Sequence, residues 1–175
     1  IGPKTFVGLD YYRNVLFGFM SREFFRALGH NVRFFIISWF MSMVPGFLLA
    51  LALSVGVRGT NTFKVIYFIP NTLSIVIVGF LWGLLLNPQW GIVNQALRAI
   101  GLETLARPWL GSTETALPTI IAVTAWRGMG FYILVFLAAI VGIDRNMFEA
   151  ARIDGAGELQ IVARIIAPQL VPILA

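Results

Sequence analysis

The chain has no cysteine, one histidine (His30) and two lysines (Lys4 and Lys64), and only 12% of its 175 residues are charged. Without cysteine there is no disulfide framework, no thiolate nucleophile and no cysteine metal site. One histidine cannot build a paired-histidine zinc motif, and neither lysine belongs to a glycine-rich phosphate loop. No catalytic residue, metal site or cofactor is therefore expected in this chain. The shortage of charge also excludes an ordinary soluble globule, which carries about 25% charged residues. What fills the chain instead is apolar: 58% of residues, a mean hydropathy of +0.84, and the surplus collected in long runs. The composition is that of an integral membrane protein.

The formal net charge is +5, but the 13 basic residues are scattered between apolar stretches rather than clustered. This fits the flanks of membrane spans and gives no phosphate footprint, so no nucleic-acid partner is expected. The sequence starts at Ile1, shows no basic segment leading into a signal peptide, and stops at Ala175 inside a rising apolar tail. An internal portion of a longer polypeptide is the expectation.

Three spans are expected. Residues 34–57, FFIISWFMSMVPGFLLALALSVGV, carry no formal charge. As a helix they reach about 36 Å at 1.5 Å per residue, enough to cross a hydrocarbon core about 30 Å thick with some tilt. Pro45 and Gly46 predict a kink near the centre, with Ser42 or a neighbouring helix satisfying the freed carbonyl. Residues 65–86, VIYFIPNTLSIVIVGFLWGLLL, form the second, with Pro70 in its first two turns and Gly79 and Gly83 as a pair of small residues four apart. Such a pair permits close helix contact, or it is a chance of composition. Residues 118–143 form the third, opened by Pro118 and closed by Asp144.

The third span contains Arg127, within TAWRGMGF. An intramembrane arginine costs about 2.5 to 3.5 kcal/mol on insertion scales, so it faces a bundle interior, a polar cavity or the interface. Two readings stand: the side chain snorkels toward the end of the span near Pro118, or it faces a pore or a partner beside a substrate path.

The connections complete the map. Residues 1–33 mix Arg13, Arg22, Arg26 and Arg33 with Tyr11, Tyr12, Phe17, Phe19, Phe24 and Phe25, as suits a segment at the membrane interface. Residues 58–64 form a short polar turn, making the first two spans antiparallel neighbours. Residues 88–114 hold several breakers and room for one short amphipathic helix around 92–100. Three crossings place seven lysines and arginines (Lys4, Arg13, Arg22, Arg26, Arg33, Arg98, Arg107) on one side and five (Arg58, Lys64, Arg145, Arg152, Arg164) on the other. A difference that small leaves the orientation open.

Residues 144–168 read DRNMFEAARIDGAGELQIVARIIAP. Asn146, followed three residues later by Glu149, predicts a capped helix over about 147–154. Ala150 and Ala151 keep its surface low, and Gly155 is the natural site of a left-handed turn that ends it. A second helix is expected after Gly157, with Leu159, Val162, Ala163 and Ile166 at helical spacing. Physical reasoning alone allows either a structured helix-turn-helix knob beside the membrane or a plain amphipathic connection.

Glu149-Ala150-Ala151, three residues, Gly155, nine residues, Ile165 and then Pro168 resembles the EAA motif of the permease subunits of bacterial ABC importers. The form EAARIDGA is similar to the carbohydrate branch. FVGLDYYRNVL at 6–16 resembles the opening of maltose-type and glycerol-phosphate-type permeases. FKVIYFIPNTLS at 63–74, Trp82, Asn87-Pro88, Gly91, Asn94, Trp109-Leu110 and residues 126–131 extend the likeness over nearly the whole chain. Two positions depart from it: Ala167 stands where the family usually has leucine, and Asp144 where proline is common.

The resemblance implies an all-α, polytopic helical bundle: half of an importer channel in the bacterial plasma (inner) membrane, with one span before residue 1, two after residue 175, and 169–175 beginning the next. Residues 144–164 would be cytoplasmic. Their short helix would dock on an ATP-binding-cassette ATPase, with Glu149, Ala150, Ala151, Asp154 and Gly155 as coupling residues. The implied partners are a second permease subunit, two ATPase subunits, an external solute-binding protein and the lipid bilayer. The third span is expected to line the substrate path through Thr124, Trp126, Arg127, Gly128 and Phe131, although Trp126 and Phe131 also suit ordinary packing. The cargo implied is a sugar or sugar derivative, with glycerol phosphate or a polyamine as alternatives. An ion-coupled secondary transporter would call for coupling carboxylates within a span, and none of the three runs contains Asp or Glu.

Overall fold

The computed structural model describes residues 7–54 and 60–174. Among them the regular structure is helical throughout. In chain order come α1 (Asp10–Phe17), α2 (Ser21–Ser54), α3 (Thr60–Thr72), α4 (Ile75–Leu85), α5 (Ile92–Ala99), α6 (Ala116–Val141), α7 (Arg145–Ile153), α8 (Glu158–Ile161) and α9 (Ala167–Leu174). A 3₁₀ turn at Glu103–Leu105 and a π turn at Val162–Ile166 interrupt the sequence of α-helices. The expected all-α membrane architecture is present. Residues 55–59, which include the last positions of the first expected span and the start of its polar turn, lie outside the described residues.

The chain divides into two compact units, Ile1–Ile37 and Ser38–Ala175. In the first, α1 buries no residue, and Tyr11, Tyr12 and Phe17 are exposed beside Arg13. Residues 21–33, expected as part of an interfacial segment, instead form the opening turns of α2, which runs unbroken for 34 residues. SREFFRALGHNVR contains no proline and a single glycine, so nothing there stops a helix before the apolar run begins.

In the second unit the buried residues of α2 are Ser38, Ser42, Gly46, Ala50 and Leu53, one stripe at helical spacing and mostly small. α6 lies against that stripe. A Cβ on Gly46 would come within 2.7 Å of the Tyr132 Cβ, and one on Gly128 within 3.2 Å of the Ser42 Oγ. Gly130, two positions on and so on the opposite side of α6, abuts α3: a Cβ there would collide with the Tyr67 carbonyl oxygen. Small residues thus let α6 approach a helix on each flank at backbone distance. Toward its C-terminal end, Ile133, Phe136, Leu137 and Ile140 join Ala50, Leu53, Ile143, Ile161, Ile166 and Leu170 in one buried apolar cluster. Phe47 meets Phe136 edge to face at 5.6 Å.

α2 and α6 are each long and apolar enough to cross a membrane; the second expected span, 65–86, is not a straight helix. It is split into α3 and α4, which are bent by 98° at Leu73-Ser74. Pro70 removes one amide donor from the last turn of α3. The Ser74 hydroxyl accepts from the Val76 amide at 3.3 Å and starts α4 afresh. Gly79 and Gly83 face open space within 4 Å, so of the two readings of this pair the close helix contact is not made among the described residues. α2 passes through Pro45 without a break, and the Ser42 hydroxyl donates to the Ser38 carbonyl at 2.7 Å instead of the carbonyl that Pro45 frees.

The connection from α4 to α6 is ordered by one side chain. Asn94, on the expected short helix α5, is 1% exposed. Its Nδ2 donates to the Arg107 carbonyl (3.1 Å), and its Oδ1 accepts from the Arg107 amide (3.3 Å) and the Trp109 indole N–H (2.8 Å). Arg107 in turn lies over the Trp109 ring, 5.8 Å from its centroid.

Candidate functional site

Two places bring the candidate residues together, a cavity beside α6 and the α7 segment. The cavity, about 320 Å³, lies between α4 and α6 and is lined by Ile75, Val78, Gly79, Trp82, Leu86, Leu110, Ile120, Val123, Thr124 and Arg127. Of the five residues expected along a substrate path, Thr124 and Arg127 reach it. Trp126 stands behind the wall, its ring edge to face with Trp82 at 5.5 Å. Gly128 packs on Ser42 of α2, so the backbone approach expected of it serves helix packing. Phe131 is half-exposed and meets the Tyr132 ring at 5.7 Å.

Arg127 is tied to the break between α3 and α4: its Nη2 donates to the Leu73 carbonyl at 3.3 Å. There the helix has lost its regular bonding, and the guanidinium supplies a donor to the orphan carbonyl. The Nε of the same side chain is buried and has no hydrogen-bond partner.

The α7 segment differs from expectation at its start. The cap is Asp144, not Asn146: its Oδ1 accepts from the Asn146 amide at 3.0 Å, and α7 begins at Arg145. Asp144, the residue standing in place of proline, lies just past the end of α6, and its carboxylate meets the converging amide dipoles of the helix N-terminus. The end is as expected. Gly155 adopts φ +80°, the Ala156 amide donates back to the Ala151 carbonyl at 2.9 Å, and the chain turns into α8 after Gly157. Two side-chain contacts span this turn: Arg152 pairs with Glu158 across it at 3.2 Å, and the Gln160 side-chain oxygen accepts from the Gly157 amide at 3.0 Å.

The inward face of the second helix is also corrected. Of the four residues expected at helical spacing, Ile166 is buried and Val162 packs on the cluster, but Leu159 is 84% exposed and Ala163 is exposed, and Ile161 and Leu170 are buried with Ile166 instead. The regular 3.6-residue spacing fails because residues 162–166 form a π turn. Pro168, without an amide proton, cannot donate to the Arg164 carbonyl, and the wider turn accommodates that loss. Between α6, α7 and α8 lies a cleft of about 420 Å³ lined by Ser54, Ile143, Arg145, Phe148, Glu149, Arg152, Glu158 and Ile161, among others. Glu149 is on this cleft. Ala150, Asp154 and Gly155 are exposed, and Ala151 is half-buried against the apolar cluster.

An unbroken α2 carrying a small-residue stripe, a bent α3–α4 pair and a capped α7 turning at a left-handed glycine form one continuous design from residue 38 onward. The family described as binding-protein-dependent transport system inner membrane component matches residues 14–175. The chain belongs to that family.

Among the relatives of this family member is the probable ABC transporter permease protein YurN of Bacillus subtilis (strain 168), 34% identical over 168 residues, which cover 95% of this chain and 56% of YurN. The diacetylchitobiose uptake system permease protein NgcF of Streptomyces coelicolor is 31% identical over 182 residues, covering 95% of this chain and 49% of NgcF. A crystal structure of a bacterial ABC transporter involved in the import of the acidic polysaccharide alginate is similar with a TM-score of 0.85 and 31% identity, over 98% of this chain and 59% of that one. The chain therefore spans roughly half of the length of its relatives (49% and 56% for the two permeases).

Within this family member, the sequence reading did not single out Ile153, and it placed Leu159 on the regular face of the second helix. They are 85% and 84% exposed on either side of the Gly155 turn, with Met147 exposed one turn and a half before Ile153. The signal was present in Ile153, an apolar residue between Arg152 and Asp154 where a solvated helix end would carry polar side chains. Among the described residues no group of three His, Asp or Glu side chains is placed to hold a metal ion.

Proposed function

We propose that the chain is part of the permease subunit of an ATP-binding-cassette importer for a sugar or sugar derivative, in the bacterial plasma (inner) membrane. The importer would comprise a second permease subunit, two ATPase subunits and an external solute-binding protein. Support comes from the family description, which names binding-protein dependence and the inner membrane, and from relatives and a solved neighbour named for diacetylchitobiose and alginate transport. ATP hydrolysis belongs to the separate ATPase subunits, and residues 144–164 face the cytoplasm.

The observation that carries this reading is α7. A nine-residue helix capped at Asp144, stopped at Gly155 and clamped by Arg152–Glu158 projects Ile153 and Leu159 outward while Phe148 and Ala151 root it on the apolar cluster. That is a rigid knob with an apolar tip, rooted on the C-terminal half of α6, and it suits a groove on a partner. Movement of the ATPases would reach the spans as a rigid-body displacement through the cluster around Phe136, Ile161 and Ile166. The substrate path would run along α6, with Thr124, Trp126, Arg127 and Phe131 its candidate residues and Gly128 securing the helix behind it.

Copurification tests the docking. With the tagged full-length protein coexpressed with its partner permease and ATPases, Ile153→Asp is expected to lose the ATPase subunits while the two permeases stay together. Retention of the ATPases at wild-type yield would refute the assigned role of α7.

A further inference from the structure

Arg127 is the single formal charge in the three apolar runs 34–57, 65–86 and 118–143, and no carboxylate accompanies it there. Arg127 is half-buried, and a charge withdrawn from water is tolerated better when it is paired and hydrogen-bonded. The one acceptor given to this guanidinium is the Leu73 carbonyl, a neutral group, and the Nε remains buried without a partner. Around it, the cavity of about 320 Å³ is walled by Ile75, Val78, Ile120 and Val123. The Thr124 hydroxyl and the Trp82 indole are the other groups there that can recognise a polar ligand. Its volume falls in the range of about 300–1,000 Å³ usual for small-molecule sites.

From this we infer that the α4–α6 cavity is an anion subsite of the translocation path, in which Arg127 pairs with a carboxylate or phosphate carried by the cargo. The inference rests on the reading of the chain as a sugar importer's permease and names the class of sugar. A planar guanidinium fixed by one bond to Leu73 presents its remaining N–H groups in the fork that matches two oxygens of a carboxylate or phosphate. Trp82, held edge to face by Trp126 at 5.5 Å, offers an aromatic face to the apolar side of a pyranose ring, and Thr124 offers a hydroxyl to its polar edge. The fixed bond to Leu73 keeps the charge at the helix break when the cavity is empty.

The test is equilibrium binding to the complete importer in lipid nanodiscs, with the full-length protein and its partner subunits. Three labelled probes are used: a uronic-acid disaccharide, the same disaccharide with its carboxylates reduced to alcohols, and a hexose monophosphate. The wild-type importer is expected to bind one or both acids at least about tenfold more tightly than the reduced sugar, the worth of one charge-assisted bond. The tighter acid identifies carboxylate or phosphate as the source. Arg127→Gln is expected to erase the difference and Arg127→Lys to retain part of it. Because the decisive comparison is made on the wild-type protein, a folding defect in either variant leaves it intact. Equal affinity for the acids and the reduced sugar overturns the anion subsite and leaves the sugar path standing. Discrimination unchanged in Arg127→Gln assigns the anion to another residue and overturns it too. If neither acid binds, the anion subsite is overturned, and the sugar reading is judged separately by the copurification and uptake measurements.

Discussion

Asn94 and Gly155 show how differently single residues announce themselves. Gly155 is readable in the sequence, because a polar helix that must turn back on itself needs a left-handed residue and glycine adopts φ > 0 without steric cost. Asn94 is not readable as a structural residue, since its partners lie 13 and 15 positions away and no local spacing connects them. Replacing it leaves the Arg107 amide and carbonyl and the Trp109 indole without their acceptor and donor. Asn94→Ala is therefore expected to destabilise the α4–α6 connection by about 2 kcal/mol. Thermal unfolding of the purified full-length protein checks this, and an unchanged midpoint would show that water replaces Asn94 at no cost. Asp144 is an intermediate case: both it and Asn146 carry cap-forming oxygens, and the choice between them depends on where the preceding span ends, at Val141.

Elements were legible where one periodicity governs a whole run. α5 and α6 fall close to the expected ranges, because their apolar patterns are long or their breakers strong, and α2 contains the expected run but starts thirteen residues earlier, at Ser21. The bent pair α3–α4 was not legible: 65–86 is uniformly apolar, and Pro70 by itself implies a kink rather than a turn of 98°. The bend is completed by the Ser74 cap and by Arg127, 54 residues away from the carbonyl it serves. Leu159 and Ala163 were misplaced on the inward face of the second helix for a related reason, since a π turn changes the period within five residues. Packing of α6 yields a prediction at this scale. Gly130→Ala puts a methyl group onto the Tyr67 carbonyl and is expected to cost about 1 to 3 kcal/mol, while Gly79→Ala, which meets nothing within 4 Å, is expected to be neutral in the isolated subunit. Melting temperatures of the two variants in detergent decide it, and equal values would mean that α3 and α6 do not pack at backbone distance.

For the whole molecule, orientation is the property that the sequence left open, because seven basic residues on one side against five on the other decide nothing. The lack of cysteine makes it measurable. A cysteine introduced at the exposed Gln160 is expected to resist membrane-impermeant thiol reagents in intact cells and to react once the membrane is opened; labelling in intact cells would invert the topology. In the proposed reading α7 couples to the ATPases, and the proposed path of coupling includes the turn at Gly155, where φ is +80° and no neighbour within 4 Å crowds a side chain. A β-branched residue there strains the turn by about 1–2 kcal/mol or more without disturbing the buried cluster. The most direct measurement is therefore ATP-driven uptake into proteoliposomes by the complete importer carrying Gly155→Val, with insertion and assembly verified in the same preparation. Uptake is predicted to be abolished while the protein inserts normally; uptake at the wild-type rate would contradict the assignment of α7 as the link between ATP hydrolysis and transport.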